Sequence, residues 1–125
     1  MILDSNIIIY AVQPQFDTLN HFILENEVVV SAISYLEVMG FHRLDPVEKA
    51  KLEVFFSGMT ILPLEQKVVQ CAVLLRQQRK MSLGDALIAA TALEYERTLV
   101  TRNVKDFEWI DGLAVLNPIQ TLESP

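Results

Sequence analysis

The chain has 125 residues, 51% hydrophobic and 21% charged, with only 4 Gly and 5 Pro, which excludes intrinsic disorder and low-complexity architecture and fits a single domain, residues 1–125. Its apolar stretches fall far short of the ~20 residues of a membrane helix, and its amino terminus lacks a basic region and meets an aspartate at position 4, so neither a membrane span nor a signal peptide is expected. Ten Lys and Arg against sixteen Asp and Glu give a net charge of −6, which argues against a broad basic face for coating duplex nucleic acid but not against a nuclease whose clustered carboxylates are neutralised by cations.

Short β-branched runs alternate with longer helical patterns. Residues 1–3 form an apolar run stopped by Asp4-Ser5-Asn6. Ile7-Ile8-Ile9 has strand propensity, but a strand running on through Asp4-Ser5-Asn6 would be out of place, and a helix is favoured. Residues 16–25 supply a helix with apolar side chains. Residues 27–31, 59–62, 98–101 and 113–116 read as short buried strands, each closed by turn or cap residues. In Asp45-Pro46-Val47-Glu48 an N-cap, a proline at the first helical position and a capping-box glutamate stand in order. Val47, Ala50 and Val54 are the predicted apolar face of that helix. From 65 to 80, Val68, Cys71, Ala72 and Leu75 recur at helical spacing, which makes Cys71 a buried packing residue. As the single cysteine, it also excludes an internal disulfide and a cysteine zinc cage. Residues 86–93 are apolar nearly all round, as in a helix covered on several sides. Strands alternating with helices imply a parallel α/β sheet, whose ligand sites lie outside the carboxyl ends of its strands.

Oxygen-bearing side chains collect at that predicted edge. Asp4 follows the first strand, and Glu37 lies just beyond the second in Ser34-Tyr35-Leu36-Glu37. Asp85 opens the apolar helix in Ser82-Leu83-Gly84-Asp85, and Asn103 and Asp106 follow the strand at 98–101. Each has an ordinary structural reading. Ser34-x-x-Glu37 and Ser82-x-x-Asp85 match capping boxes, Asp4 suits an N-cap, and Asn103 and Asp106 suit a turn. Jointly they point elsewhere: carboxylates gathered at one place repel one another, and a hard divalent cation such as Mg²⁺ or Mn²⁺ relieves that repulsion. Such a site activates water for attack on phosphorus.

Other chemistries lack their residues. Glycines stand only at 40, 58, 84 and 112, so there is no Walker loop and no dinucleotide fingerprint. His21 and His42 form no paired-histidine metal motif, and no serine sits in a nucleophile elbow.

Four segments, Leu3-Asp4-Ser5-Asn6, Ser34-Tyr35-Leu36-Glu37, Gly84-Asp85-Ala86-Leu87-Ile88-Ala89-Ala90 and Leu99-Val100-Thr101-Arg102-Asn103-Val104-Lys105-Asp106-Phe107, resemble in order and spacing those of PIN-domain ribonucleases. The short form is similar to VapC-type toxins of bacterial toxin–antitoxin pairs. The resemblance covers nearly the whole chain. It implies a PIN-like three-layer α/β/α domain with a short central parallel sheet, and Mg²⁺- or Mn²⁺-dependent endonucleolytic hydrolysis of single-stranded RNA in the cytoplasm. It also implies a homodimer and a cognate antitoxin. Asp4, Glu37 and Asp85 match the family's first three acidic positions. Many members carry an aspartate where this chain has Asn103, and Asp106 is a second candidate for that fourth place. The metal ligands implied are Asp4, Asp85, Glu37 and Asn103, with Asp106 added to the catalytic set. Ser5, Asn6, Arg102 and Lys105 are candidates for substrate contact or for support of the site, and Tyr10 and Phe41 for base stacking or core packing. The alternative to an enzyme is a catalytically weak PIN-like RNA-binding or scaffold protein whose acids mainly cap helices.

Overall fold

The computed structural model describes residues 1–119, so residues 120–125 of the expected domain lie outside the described part. Strands β1 (Ile2–Leu3), β2 (Val29–Ser31), β3 (Ile61–Leu62), β4 (Leu99–Val100) and β5 (Val115–Leu116) form one sheet in the order β3-β2-β1-β4-β5. All four pairings are parallel. From β1 the chain moves outward through β2 to β3, then returns to the other side of β1 for β4 and β5. This reversal is a topological switch point, where open α/β sheets make their ligand crevices.

The connections are helices α1 (Ser5–Ala11), α2 (Asp17–Glu25), α3 (Ala32–Met39), α4 (Pro46–Ser57), α5 (Gln66–Gln78) and α6 (Leu83–Glu94). Side chains alternate along each strand and so feed two cores. Ile2, Val29 and Leu99 pack with Val68, Ala72 and Leu75 of α5 and with the buried run of α6. Leu3, Val30 and Val100 pack with Ile7, Ile8 and Ala11 of α1, with Leu19 and Ile23 of α2, and with Leu52 and Phe56 of α4. The result is the three-layer α/β/α architecture expected. No helix among the described residues is long and apolar enough to cross a membrane.

Three local expectations are corrected. Ser34 does not begin a capping box: Ser31, the last residue of β2, caps α3 by accepting the Ser34 N–H at 3.1 Å, and Ser34 is buried inside the helix. The chain passes from strand to helix with no intervening loop, so the cap falls three residues earlier and Glu37 caps nothing. Asp45 does cap α4, accepting the Val47 N–H, but the predicted apolar face of that helix points outward. Val47 is 62% and Val54 74% exposed, while Leu52 and Phe56 are buried. Both sets have helical spacing, and the larger side chains take the core because their burial is worth more. Cys71 is half-buried against the α5–α6 core rather than fully buried.

Candidate active site

Asp4 leaves β1 in extended geometry and caps α1, its Oδ1 accepting the Ile7 N–H at 3.0 Å. Its other oxygen, Oδ2, accepts the Thr101 hydroxyl at 2.5 Å, and Thr101 Oγ1 in turn accepts the Asn103 N–H at 3.1 Å. Thr101 is fully buried and Asp4 nearly so, at 7% exposure. The strand register explains the meeting. Ile2 is opposite Leu99 and Leu3 opposite Val100, so the same step sets Asp4 against Thr101, on the two strands that flank the switch point.

Glu37 stands on α3, exposed, with Oε1 accepting the Ser5 hydroxyl at 2.8 Å. Asp85 sits in the first turn of α6, where Ser82 Oγ accepts its backbone N–H at 3.1 Å. Gly84 allows the first turn of α6 to reach the Glu37 carboxylate: a Cβ there would lie 2.5 Å from Glu37 Oε2. Asp106 closes a 3₁₀ turn, Val104–Asp106, beyond β4.

These carboxylates act on one another. Burial raises the Asp4 carboxyl above the usual range; the Thr101 hydroxyl and the Ile7 and Asn6 N–H groups oppose the rise, and the Asp85 charge adds to it. Asp85 is raised as well, first by burial, against a hydrogen bond with Ser82, and then by the charges of Asp106 and Glu37. Asp85 thus stands within the electrostatic reach of acids from three other segments, Asp4, Glu37 and Asp106.

The other sequence candidates take lesser positions. Asn6 enters through its backbone N–H, and Asn103 is exposed and meets the site through its N–H to Thr101. Asp106, by contrast, is coupled by charge to Asp85. Arg102 lies over the Tyr10 ring at 5.4 Å and lines a cleft of about 500 Å³ with Lys105 and Asp106. Tyr10 is half-buried and packs on Phe16 with ring centroids 4.9 Å apart, whereas Phe41 is 53% exposed. Sequence reasoning assigns no role to Thr101 or Gly84. Their signals lie in the strand register and in the approach of α6 to α3, both of which need the tertiary fold.

The donor chemistry fits a hard cation, since every side chain offered is a carboxylate, hydroxyl or amide oxygen. Among the described residues no three or more His, Cys, Asp or Glu side chains stand close enough together to hold a metal ion between them. Mg²⁺ commonly binds through one or two carboxylates and keeps several waters, and the raised, mutually repelling Asp4 and Asp85 suit that mode.

Residues 1–113 match the family model described as the PIN domain. The chain is 30% identical to Ribonuclease VapC2 of Rickettsia felis, with 92% of this chain and 95% of that protein aligned. Among solved structures it is similar to VapBC2 from Rickettsia felis bound to a DNA fragment from its promoter. There the TM-score is 0.78 at 26% identity, covering 93% of this chain and 96% of that one. A toxin–antitoxin complex from Klebsiella pneumoniae gives a TM-score of 0.74 at 30% identity, covering 94% and 96%.

Proposed function

This chain belongs to the PIN-domain family, and on that premise we propose that it is a divalent-cation-dependent endoribonuclease that hydrolyses phosphodiester bonds in single-stranded RNA, and the toxin of a toxin–antitoxin pair. The observation that carries the reading is the geometry at the switch point of a parallel sheet: a buried Asp4 held by Thr101, an Asp85 at the start of α6, and a Glu37 held by Ser5 and closely approached by Gly84, with burial and neighbouring charge raising the Asp4 and Asp85 carboxyls. A site built to destabilise itself in this way has a use for cations. The relative named as a ribonuclease and the Klebsiella toxin–antitoxin complex are similar over more than nine-tenths of this chain, which supports RNA as substrate and an antitoxin as partner.

In this reading Asp4 and Asp85 are the principal holders of the cation, with Glu37 beside them and Asp106 or Asn103 completing the set. Mg²⁺ or Mn²⁺ held there would supply an acidified water and charge stabilisation for the departing oxygen. Thr101 fixes the Asp4 carboxylate from behind by donating to Oδ2, and Ser5 fixes Glu37 by donating to Oε1. Both are positioning residues. Arg102 and Lys105 line a cleft with Asp106, where they would meet phosphate oxygens. The scaffold alternative requires the acids to serve mainly as caps, and Glu37 caps no helix.

We further propose that residues 1–125 act as one domain and that two copies pair. Apolar side chains left exposed on α2 and α4, such as Leu24, Val47 and Val54, call for cover. On the same reading the protein works in the cytoplasm, where its RNA substrate is found. The test is cleavage of an end-labelled single-stranded RNA by the full chain. Cutting is expected in Mg²⁺ or Mn²⁺, none in EDTA, and at most about a hundredth of the wild-type rate for Asp4→Asn. Equal cutting by wild type and variant, or cutting that survives EDTA, overturns the reading.

A further inference from the structure

A protein of net charge −6 repels RNA overall, so a substrate strand needs a local run of cations. Three of the ten Lys and Arg residues fall within five positions, Arg76, Arg79 and Lys80, where α5 gives way to α6. They line a groove of about 760 Å³ whose described lining includes no Asp or Glu. None of the three makes an ion pair among the described residues, whereas Lys49 and Arg97 do.

Their surroundings hold them in place. Arg76 Nε donates to the Met81 carbonyl at 3.3 Å, bracing the turn between the helices. The Arg79 guanidinium lies 5.3 Å from the centroid of the Trp109 ring. Trp109 Nε1 donates to the backbone carbonyl of Asp106 at 3.0 Å, so the indole links this cation to the acidic junction. The same turn runs on through the Ser82 cap to Asp85. Exposed Val73 and Leu83 form apolar walls in the groove. Cations beside apolar and planar surfaces suit a single strand, whose phosphates take the charges and whose base faces take the rest.

We propose that this α5–α6 groove is a phosphate track for single-stranded RNA, in which Arg76, Arg79 and Lys80 hold nucleotides flanking the bond at the acidic junction. The proposal rests on the ribonuclease reading and adds a binding surface to it. Arg102 and Lys105, which line a separate cleft with Asp106, offer the strand further cations near the carboxylates.

The experiment reads binding apart from cutting. Fluorescence anisotropy of a labelled oligouridylate follows its affinity for the full chain in EDTA, across a series of salt concentrations. Arg76→Gln/Arg79→Gln/Lys80→Gln is expected to weaken binding about tenfold and to flatten the slope of log affinity on log salt by about 0.7 for each phosphate no longer neutralised. Arg43→Gln/Lys49→Gln/Lys51→Gln removes the same charge elsewhere and is expected to weaken binding less than about threefold. Equal weakening by the two triples, no weakening by the groove triple, or no binding by the wild type overturns the track. A shift in molecular mass of the groove triple by light scattering shows a second copy in the groove and also overturns it. Asp85→Asn separates the two claims. It is expected to bind at least as tightly as wild type while cutting no RNA in Mn²⁺. Groove-dependent binding by a wild type that cuts nothing sinks the ribonuclease reading alone.

Discussion

Thr101→Val removes one hydroxyl and keeps the side-chain shape, so it isolates the bond that holds the buried Asp4 carboxylate. In the wild type that hydroxyl donates to Asp4 Oδ2 and accepts the Asn103 N–H. Asn103 is exposed, so water replaces the lost acceptor there at little cost. Asp4 is nearly buried, and its Oδ1 keeps the Ile7 N–H while Oδ2 loses its donor. A hydrogen bond to a charged group is worth about 1.5–3 kcal/mol, and valine leaves no cavity, so the expected loss at neutral pH is about 2 kcal/mol. The sign with pH follows from the same bond. Thr101 lowers the carboxyl against the rise caused by burial, so its stabilisation is present above the Asp4 titration and is lost as pH falls through it. Urea unfolding in EDTA at neutral and acidic pH measures both quantities. Thr91→Val is the control. Its hydroxyl is as deeply buried but donates to the neutral Leu87 carbonyl, so a loss of about 1 kcal/mol with no pH dependence is expected. A Thr101→Val deficit below about 0.5 kcal/mol, or one equal at the two pH values, refutes this account of Asp4.

Asp4 and Asp85 both have carboxyls raised in the folded state, so their joint contribution is fully present below about pH 4 and is lost as pH rises through their folded values. Melting wild type and Asp4→Asn/Asp85→Asn in EDTA is expected to show the double variant gaining on the wild type as pH rises; a difference that does not move with pH contradicts the repulsion. Mn²⁺ added at neutral pH is expected to raise the wild-type Tm and leave that of the double variant unchanged in the same melt. Gly84→Ala forces a methyl to within 2.5 Å of Glu37 Oε2, at the end of a flexible side chain that can swing away. Stability is therefore expected to hold or rise by up to about 1 kcal/mol from helix propensity while RNA cleavage falls about tenfold; unfolding curves and initial rates check the two halves. Leu52→Ala is expected to cost about 2–5 kcal/mol and its exposed neighbour Lys51→Ala no more than about 0.5 kcal/mol, by urea unfolding.

What the sequence makes legible is local. Asp4 before a helix, Ser82 three residues before Asp85, and Asp45-Pro46 are chemical punctuation that needs only neighbouring backbone, and the structure uses each as a cap. Polar residues separate Ile7 and Ile8 from the first strand and so favour a helix there, and both are buried in α1. Where two local patterns compete, sequence cannot arbitrate. Ser31 and Ser34 both have the chemistry of a cap, and the direct passage from β2 into α3 selects Ser31. Val47–Val54 and Leu52–Phe56 are both helical stripes, and the tertiary core selects the bulkier one. Contacts across the sheet are out of reach. Thr101 stands 97 residues from Asp4, and only the pairing register brings them together. The positions of Asn103 and Asp106 likewise depend on how the chain bends after β4, where a 3₁₀ turn puts Asp106 near enough for its charge to raise the Asp85 carboxyl.

The central claim is that carboxylates from four separate segments act as one divalent-cation site. Anomalous scattering from a crystal of the full chain grown with Mn²⁺ tests it most directly. Manganese is predicted among Asp4, Glu37, Asp85 and Asp106, with water completing its coordination. A protein that cuts RNA in the same Mn²⁺ yet binds the metal elsewhere, or shows none at that junction, contradicts the claim.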